Sequence, residues 1–460
     1  MRMTGVGISY GNDADAFALG RDTAAAALRA GGLAQADVLA AFCSGHSDAH
    51  RFHAGLRSVV GEATPIIGGS SLGVITNEAL SYQGHPAAVA AIRSDKVAFK
   101  VAAAGGLDVD EVAAGRTLAR GLARSKADKA LYVLYDSIRT PAGRPGPPVL
   151  NASAPLLAGI EEVLPGDVPI LGAGLLGEYG FGPTWQFDGR GVVSQHVVAC
   201  LISGDCGVDH AIMHGCIPLD GVYRRITRMQ GDVVHELDGR PLPEIIDELF
   251  GNRDWRGERP VIMNLTLGIN CGERFGPPRE SQYVNRLLTG VTPDGDGVGM
   301  FEADLAVGQE VQFMVRDNRM MLQSVRENAP ALVARARAGG RRPFLALYIS
   351  CGGRTAAQSR TEQEEAAEVQ RVTREAGIPL LGIWSGVEIA PLLGRSRGLD
   401  WTGVLVILSE GGMTVAEPAD QGPGNGRQVD ARRGRARLLS RRGRTSRPQG
   451  VDRRPGLQPA

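Results

Sequence analysis

The sequence predicts an α/β protein of repeated strand-helix-strand units. Its sheets are expected to be largely parallel or mixed and covered by helices, with an antiparallel meander in the middle. Three observations predict this. Pro65-Ile66-Ile67-Gly68 recurs as Pro169-Ile170-Leu171-Gly172 and as Pro379-Leu380-Leu381-Gly382. Each copy follows a helix-like segment, at 50–61, 152–164 and 359–376. Each helix follows a short apolar run, at 38–43, 131–135 and 344–351, without the alternation of a half-exposed strand.

After each motif come a glycine-containing turn and another apolar run, at 87–92, 192–202 and 404–408. Glu178 and Glu388 both lie nine residues after their proline, where the first copy has Val74. Between the second and third copies the pattern changes. Residues 206–239 read as a strand meander and 243–250 as a short helix. Segments 308–315 and 318–323 flank Arg316-Asp317 as a hairpin, and a second helix is expected over 328–338. The organisation expected is a lead-in (1–34), an N-terminal domain (35–228), a C-terminal domain (229–411) and a tail (412–460), with the domain boundary near 227–231.

Composition agrees with a globular body: 460 residues, 43% hydrophobic and 22% charged, suggest two domains. The formal net charge of zero conceals an asymmetry. Residues 417–460 hold 11 Arg against 4 acids, so this segment is basic and the remainder acidic. Poor in apolar residues, the tail is expected to be disordered. An acidic body argues against nucleic-acid binding by the folded part. No run approaches the roughly 20 apolar residues of a membrane span, so no membrane insertion is expected. The six cysteines show no C-x-x-C pair and read as reduced thiols of a cytoplasmic protein.

Residues from about 35 to 410 resemble the FIST sensory proteins in both their N-terminal and C-terminal halves. The N-terminal likeness rests on Ile66-Ile67-Gly68-Gly69-Ser70-Ser71, on Pro169-Ile170-Leu171-Gly172-Ala173-Gly174 and on Ile217-Pro218-Leu219. The C-terminal likeness rests on Val234-His235-Glu236-Leu237-Asp238-Gly239, Ile349-Ser350-Cys351-Gly352-Gly353-Arg354, and the stretch from Pro379 to Ile389. Two departures stand out: Val387 intervenes in the usual Gly-Glu, and Asp400-Trp401 replaces a frequent His-Asn. The resemblance implies an intracellular sensory module that binds a small-molecule ligand, for which amino acids have been suggested, and signals to a partner. Some stand-alone members bind haem, respond to nitric oxide and act on histidine kinases.

In open α/β sheets ligands bind beyond the carboxyl ends of the strands. That places Gly68, Gly69, Ser70 and Ser71 among the candidates, with Cys351, Gly352 and Ser385. Arg354 would pair with a ligand carboxylate, and Glu178 and Glu388 would accept an amine, a set suited to an amino acid. The alternative is that the small residues only make turns and that Arg354 and Glu388 form a structural ion pair. His46, His50 and His53 fall at i, i+4 and i+7 and are the candidates for haem or a metal, although His46 reads as a turn residue ahead of an Asp48 N-cap. His210, His214 and Cys216 share a strand without an identifiable fourth ligand.

Walker, H-E-x-x-H, dinucleotide, G-x-S-x-G and kinase signatures are all missing. With the sensory role that the resemblance implies, the sequence reads as a cofactor-free ligand sensor expected to act in trans on a signalling protein such as a histidine kinase. A haem-based nitric-oxide sensor controlling a kinase is the alternative, and a cysteine- or metal-dependent hydrolase the enzyme reading.

Overall fold

In the computed structural model the described residues are 3–140, 149–164, 168–258 and 265–411. The tail assigned to 412–460 lies outside them. The first segment runs β1 (Gly5–Asn12), α1 (Ala16–Ala30), β2 (Val38–Ser44), α2 (Ala49–Val60) and β3 (Ile66–Ser71). It continues with β4 (Gly73–Thr76), β5 (Leu80–Ser81) and β6 (Pro86–Arg93). The expected lead-in thus supplies β1 and α1.

The second segment runs β7 (Val97–Gly105), α3 (Glu111–Gly121), β8 (Asp128–Asp136), the ribbon β9 (Ile138–Thr140) and β10 (Val149–Leu150), and α4 (Ser153–Val163). It closes with β11 (Ile170–Leu175), β12 (Gln186–Gly189), β13 (Val192–Val193) and β14 (His196–Gly204).

The third opens with β15 (Gly207–Met213) and is then interrupted. The interruption holds β16 (Cys216–Pro218), β17 (Arg224–Gln230), β18 (Val233–Leu237), β19 (Arg240–Pro241) and α5 (Leu242–Phe250). It goes on through β20 (Leu265–Asn270), β21 (Tyr283–Val291), β22 (Val298–Met300) and β23 (Glu310–Arg316). The segment resumes with α6 (Asn318–Ala336), β24 (Arg342–Cys351), α7 (Ala356–Ser359) and α8 (Ala366–Glu375). It ends with β25 (Leu380–Ser385), β26 (Val387–Leu392), β27 (Arg395–Leu399) and β28 (Gly403–Glu410).

The three segments are wired alike. The pairs β2/β3, β8/β11 and β24/β25 are parallel, each joined through a helix, and each is flanked by antiparallel strands, which makes the sheets mixed. Each sheet is completed by a hairpin from another segment. β4–β5 adds to β25, β12–β13 to β3 and β26–β27 to β11, a cyclic exchange.

The recurring glycine has a steric cause. A Cβ on Gly68 would stand 1.8 Å from the Ala41 carbonyl oxygen of the parallel neighbour, and one on Gly172 would stand 1.8 Å from that of Val133. Both glycines have positive φ, 136° and 153°. At Gly382 the equivalent approach, to the Tyr348 oxygen, is a looser 2.8 Å.

One face of each sheet packs on a common centre. Val38, Phe42, Tyr132, Cys200, Leu345 and Leu408, drawn from all three, surround a residual void of about 30 Å³. The helices cover the outer faces, with Phe52 and Leu56 of α2 packed over Leu39. Carboxylates start four of them: Asp15, Asp48, Asp110 and Asp317 each accept from a backbone N–H in the first turn of α1, α2, α3 and α6.

The meander is a closed ring. β20, β21, β22, β18, β17 and β23 pair in succession, and β23 pairs back to β20 around Phe313, Leu267 and Leu288. The expected hairpin about Arg316-Asp317 is absent: β23 does precede it, but Asn318 begins α6, because Asp317 caps that helix through the N–H groups of Arg319 and Met320. The positions 227–231 fall in and just after β17. Among the described residues no helix is long and apolar enough to cross a membrane.

Candidate functional site

Parallel register sets Cys351, at the end of β24, opposite Ser385, at the end of β25. Beyond these ends lies a cavity of about 450 Å³. Its floor is Cys351, Gly352, Gly353, Ser385 and Gly386. The first segment contributes Leu72, the second Leu176, Tyr179 and Phe181, and the strand ring Leu287 and Phe301. Trp401 closes one side, while Glu258, Gln358 and Arg360 supply charge and polarity. All three segments and the ring therefore meet at one chamber.

Close backbone approach builds these walls. A Cβ on Gly352 would lie 2.1 Å from Leu72 Cδ1, and one on Gly353 would lie 2.6 Å from Trp401 Nε1. Tyr179 is fixed at its hydroxyl, which donates to the Gly352 carbonyl at 3.0 Å and lies 3.0 Å from Thr355 Oγ1. Burial pushes that phenol up to about 12. Burial likewise pushes the Cys351 thiol well above its ordinary range, which holds it protonated.

Of the residues predicted from sequence, Cys351, Gly352 and Ser385 line the cavity. Gly68, Gly69, Ser70 and Ser71 do not. They form β3 itself, where Ser70 Oγ accepts from the Trp185 N–H at 3.1 Å, and it is the next residue, Leu72, that reaches the chamber. Glu178 is half-buried and folds over Gly182, where a Cβ would lie 1.9 Å from its Oε1. It is not the counterpart of Glu388. Register places Glu388 opposite Ala173 and Gln186 opposite Gly69, so Gln186 and Val74 occupy the corresponding positions.

Arg354 does not face the cavity. Its Nη2 meets Glu365 Oε1 at 2.9 Å with both side chains fully buried, and Nη1 donates to the His214 and Trp401 carbonyls at 3.0 and 3.1 Å. The short helical turn after Cys351 directs the side chain inward, against Tyr348, whose hydroxyl donates to the same Glu365 oxygen at 2.6 Å. Nor does Arg354 pair with Glu388. Glu388 accepts from Ser385 Oγ at 3.0 Å and from the Thr402 N–H at 3.2 Å, and complete burial holds its carboxyl well above the usual range.

The histidines are dispersed. His46 is exposed in the turn before α2, His50 lies edge-on to Trp185 at 5.1 Å, and His53 packs on Phe187 at 5.3 Å. Burial drives His53 down to about 4. His210 and His214 bond to the Pro391 and Glu280 carbonyls, both at 2.9 Å. No cluster of three or more potential metal ligands occurs among the described residues.

Sequence reasoning missed Tyr179, Phe301, Arg316 and Glu365. Trp401 had left a trace, as half of the Asp400-Trp401 departure from the resemblance.

Residues 37–240 match the FIST N domain and residues 244–391 the FIST C domain. The chain belongs to the FIST family. FIST domains are sensory domains of signal transduction proteins. The junction between the two FIST matches falls between β19 and α5, inside the strand ring. An uncharacterized protein of Mycobacterium bovis is 30% identical over 240 residues, 51% of this chain and 58% of that protein. An uncharacterized protein of Mycobacterium tuberculosis is 28% identical over 244 residues, 52% of this chain and 61% of that protein. The matched region thus spans less than two thirds of either relative. A solved cyanuric acid hydrolase from A. caulinodans overlaps 89% of this FIST chain at 10% identity with a TM-score of 0.34, a distant likeness that says nothing about chemistry.

Proposed function

We propose that this FIST protein senses a small molecule held in the chamber beyond β24 and β25, and that occupancy is passed to a signalling protein in trans, such as a histidine kinase. The observation that carries the reading is the composition of the walls. They come from three exchanged segments and the strand ring, so a ligand touching all of them is placed to bias their relative packing. A volume of about 450 Å³ suits a small organic ligand. Leu176, Phe181, Phe301 and Trp401 favour one with a flat or branched apolar body, such as an aromatic or large aliphatic amino acid.

The amino-acid clamp expected of Arg354 and Glu388 is not part of this reading, since one is committed to Glu365 and the other is fully buried behind Ser385 and does not line the chamber. We take the site to be a binding site rather than a catalytic one, in keeping with a Cys351 thiol held protonated by burial. We also take it to work without haem: His46, His50 and His53 stand on or just before α2, and none lines the chamber.

A thermal-shift screen of amino acids tests the proposal, because a ligand that binds only the native state raises its stability. A rise with aromatic or large aliphatic members is expected. No rise with any amino acid would count against the amino-acid reading, and a Soret band after haem supplementation, lost on changing one of the three histidines, would replace it with the haem sensor.

A further inference from the structure

Arg316, the last residue of β23, is 7% exposed, and no acid among the described residues pairs with it. Its Nη1 donates to the Gly353 carbonyl at 2.6 Å, and its guanidinium lies over the Trp401 ring at 4.6 Å. Nε and Nη2 are buried without a hydrogen-bond partner, and the nearby charge that weighs most on the group is another cation, Arg354. Trp401 repeats the pattern: its Nε1 is buried without an acceptor. Among the described residues, three donor atoms on two adjacent side chains are therefore left without acceptors, and one of those side chains is a cation. An unpaired charge out of water is strongly unfavourable, and buried polar atoms in native proteins almost always find partners.

The place matters as much as the deficit. Gly353 and Trp401, the two groups that hold Arg316, both line the chamber. Gly353 packs directly on the Trp401 N–H, where a Cβ would lie 2.6 Å from Nε1. The missing partner is thus an acceptor; Arg316 stands directly behind Gly353 and Trp401, one layer back from the chamber lining.

We propose that the chamber takes an organic acid whose carboxylate is received by Arg316 and by the indole N–H of Trp401, with its apolar body against Leu176 and Phe301. This rests on the chamber being the ligand site. It replaces Arg354 with Arg316 as the recognising cation, and it requires no ammonium group on the ligand. A guanidinium that already stacks on an aromatic ring presents its remaining N–H groups in one plane, the geometry that suits a carboxylate.

The test uses three probes of one shape: phenylacetate, 2-phenylethanol and 2-phenylethylamine, titrated calorimetrically into the full chain. Phenylacetate is expected to bind about 10-fold or more tighter than the alcohol, the worth of a charge-assisted hydrogen bond. The amine should bind weakest. Arg316→Gln should abolish the preference for the acid, and Trp401→Phe should reduce it. Arg51→Gln, on the exposed face of α2 and outside the chamber lining, should leave it intact. Equal binding of acid and alcohol by the wild type, or a preference retained in Arg316→Gln, overturns the proposal. So does an affinity for inorganic phosphate or chloride alone equal to that for phenylacetate and lost in Arg316→Gln, which would assign the donors to a free inorganic ion. Failure of all three probes, together with no effect of filling the chamber on any ligand, would remove the chamber itself and the proposal with it.

Discussion

Arg354 and Glu365 face each other at 2.9 Å, and neither side chain touches water. Such a pair is defined by what happens when it is broken. Arg354→Ala leaves a buried carboxylate alone and should cost roughly 3–5 kcal/mol of stability. The double variant Arg354→Met with Glu365→Gln should cost clearly less. Urea unfolding of the two variants checks this, and a single variant of unchanged stability would show that the pair is dispensable.

Glu302 ties the strand ring to the second segment, accepting from Ser153 Oγ at 2.5 Å and from the Ala154 N–H at 3.3 Å at the start of α4. Burial, reinforced by the charge of Asp400, raises its carboxyl to about 7. The folded state thus keeps a proton that the unfolded chain releases near its ordinary 4.5. Its contribution to stability is fully present below the unfolded value and is lost as pH rises through about 7. Glu302→Gln stays neutral and keeps an oxygen for Ser153. Its melting temperature should fall less than that of the wild type between roughly pH 5 and pH 8. Parallel curves for the two proteins would contradict this.

Steric demand ranks the three motif glycines. Gly68→Ala and Gly172→Ala should each lose at least about 3 kcal/mol, since the carbonyl they would strike belongs to a paired strand and cannot move. Gly382→Ala, with 2.8 Å available, should lose less. Soluble yield and thermal melts give the order.

Cys271 is exposed and the other five cysteines are buried. Iodoacetamide on the native protein, followed by intact mass, should therefore add one label, at Cys271. Prompt labelling of Cys351 would show a thiol far more reactive than its burial permits.

The motif glycines inside β3, β11 and β25 were legible in the sequence because each answers a local constraint, the carbonyl of a neighbouring parallel strand. The hairpin exchange was not. Periodicity marks Val74 or Glu388 as strand residues but carries no information on which distant edge receives them. For the same reason Glu178 and Glu388 looked equivalent when counted from their prolines. A longer connection after Gly177 hands that position to Gln186. Arg354 was correctly placed at the end of a strand, yet its direction depended on Glu365, eleven positions on and across a turn. Cys351, Gly352 and Ser385 reach the chamber because strand-end position alone brings them there. Leu176, Phe301 and Trp401 come together only through tertiary packing.

The central claim is that the chamber beyond β24 and β25 is the ligand site. Leu176→Trp places a large side chain in that space while keeping an apolar wall. Thermal shift of the wild type and of this variant, against the same panel of amino acids and aromatic acids, tests the claim directly. The wild type should be stabilised by at least one member, and the variant, with a similar melting temperature on its own, by none. An equal shift in both proteins would place the ligand elsewhere and contradict the account.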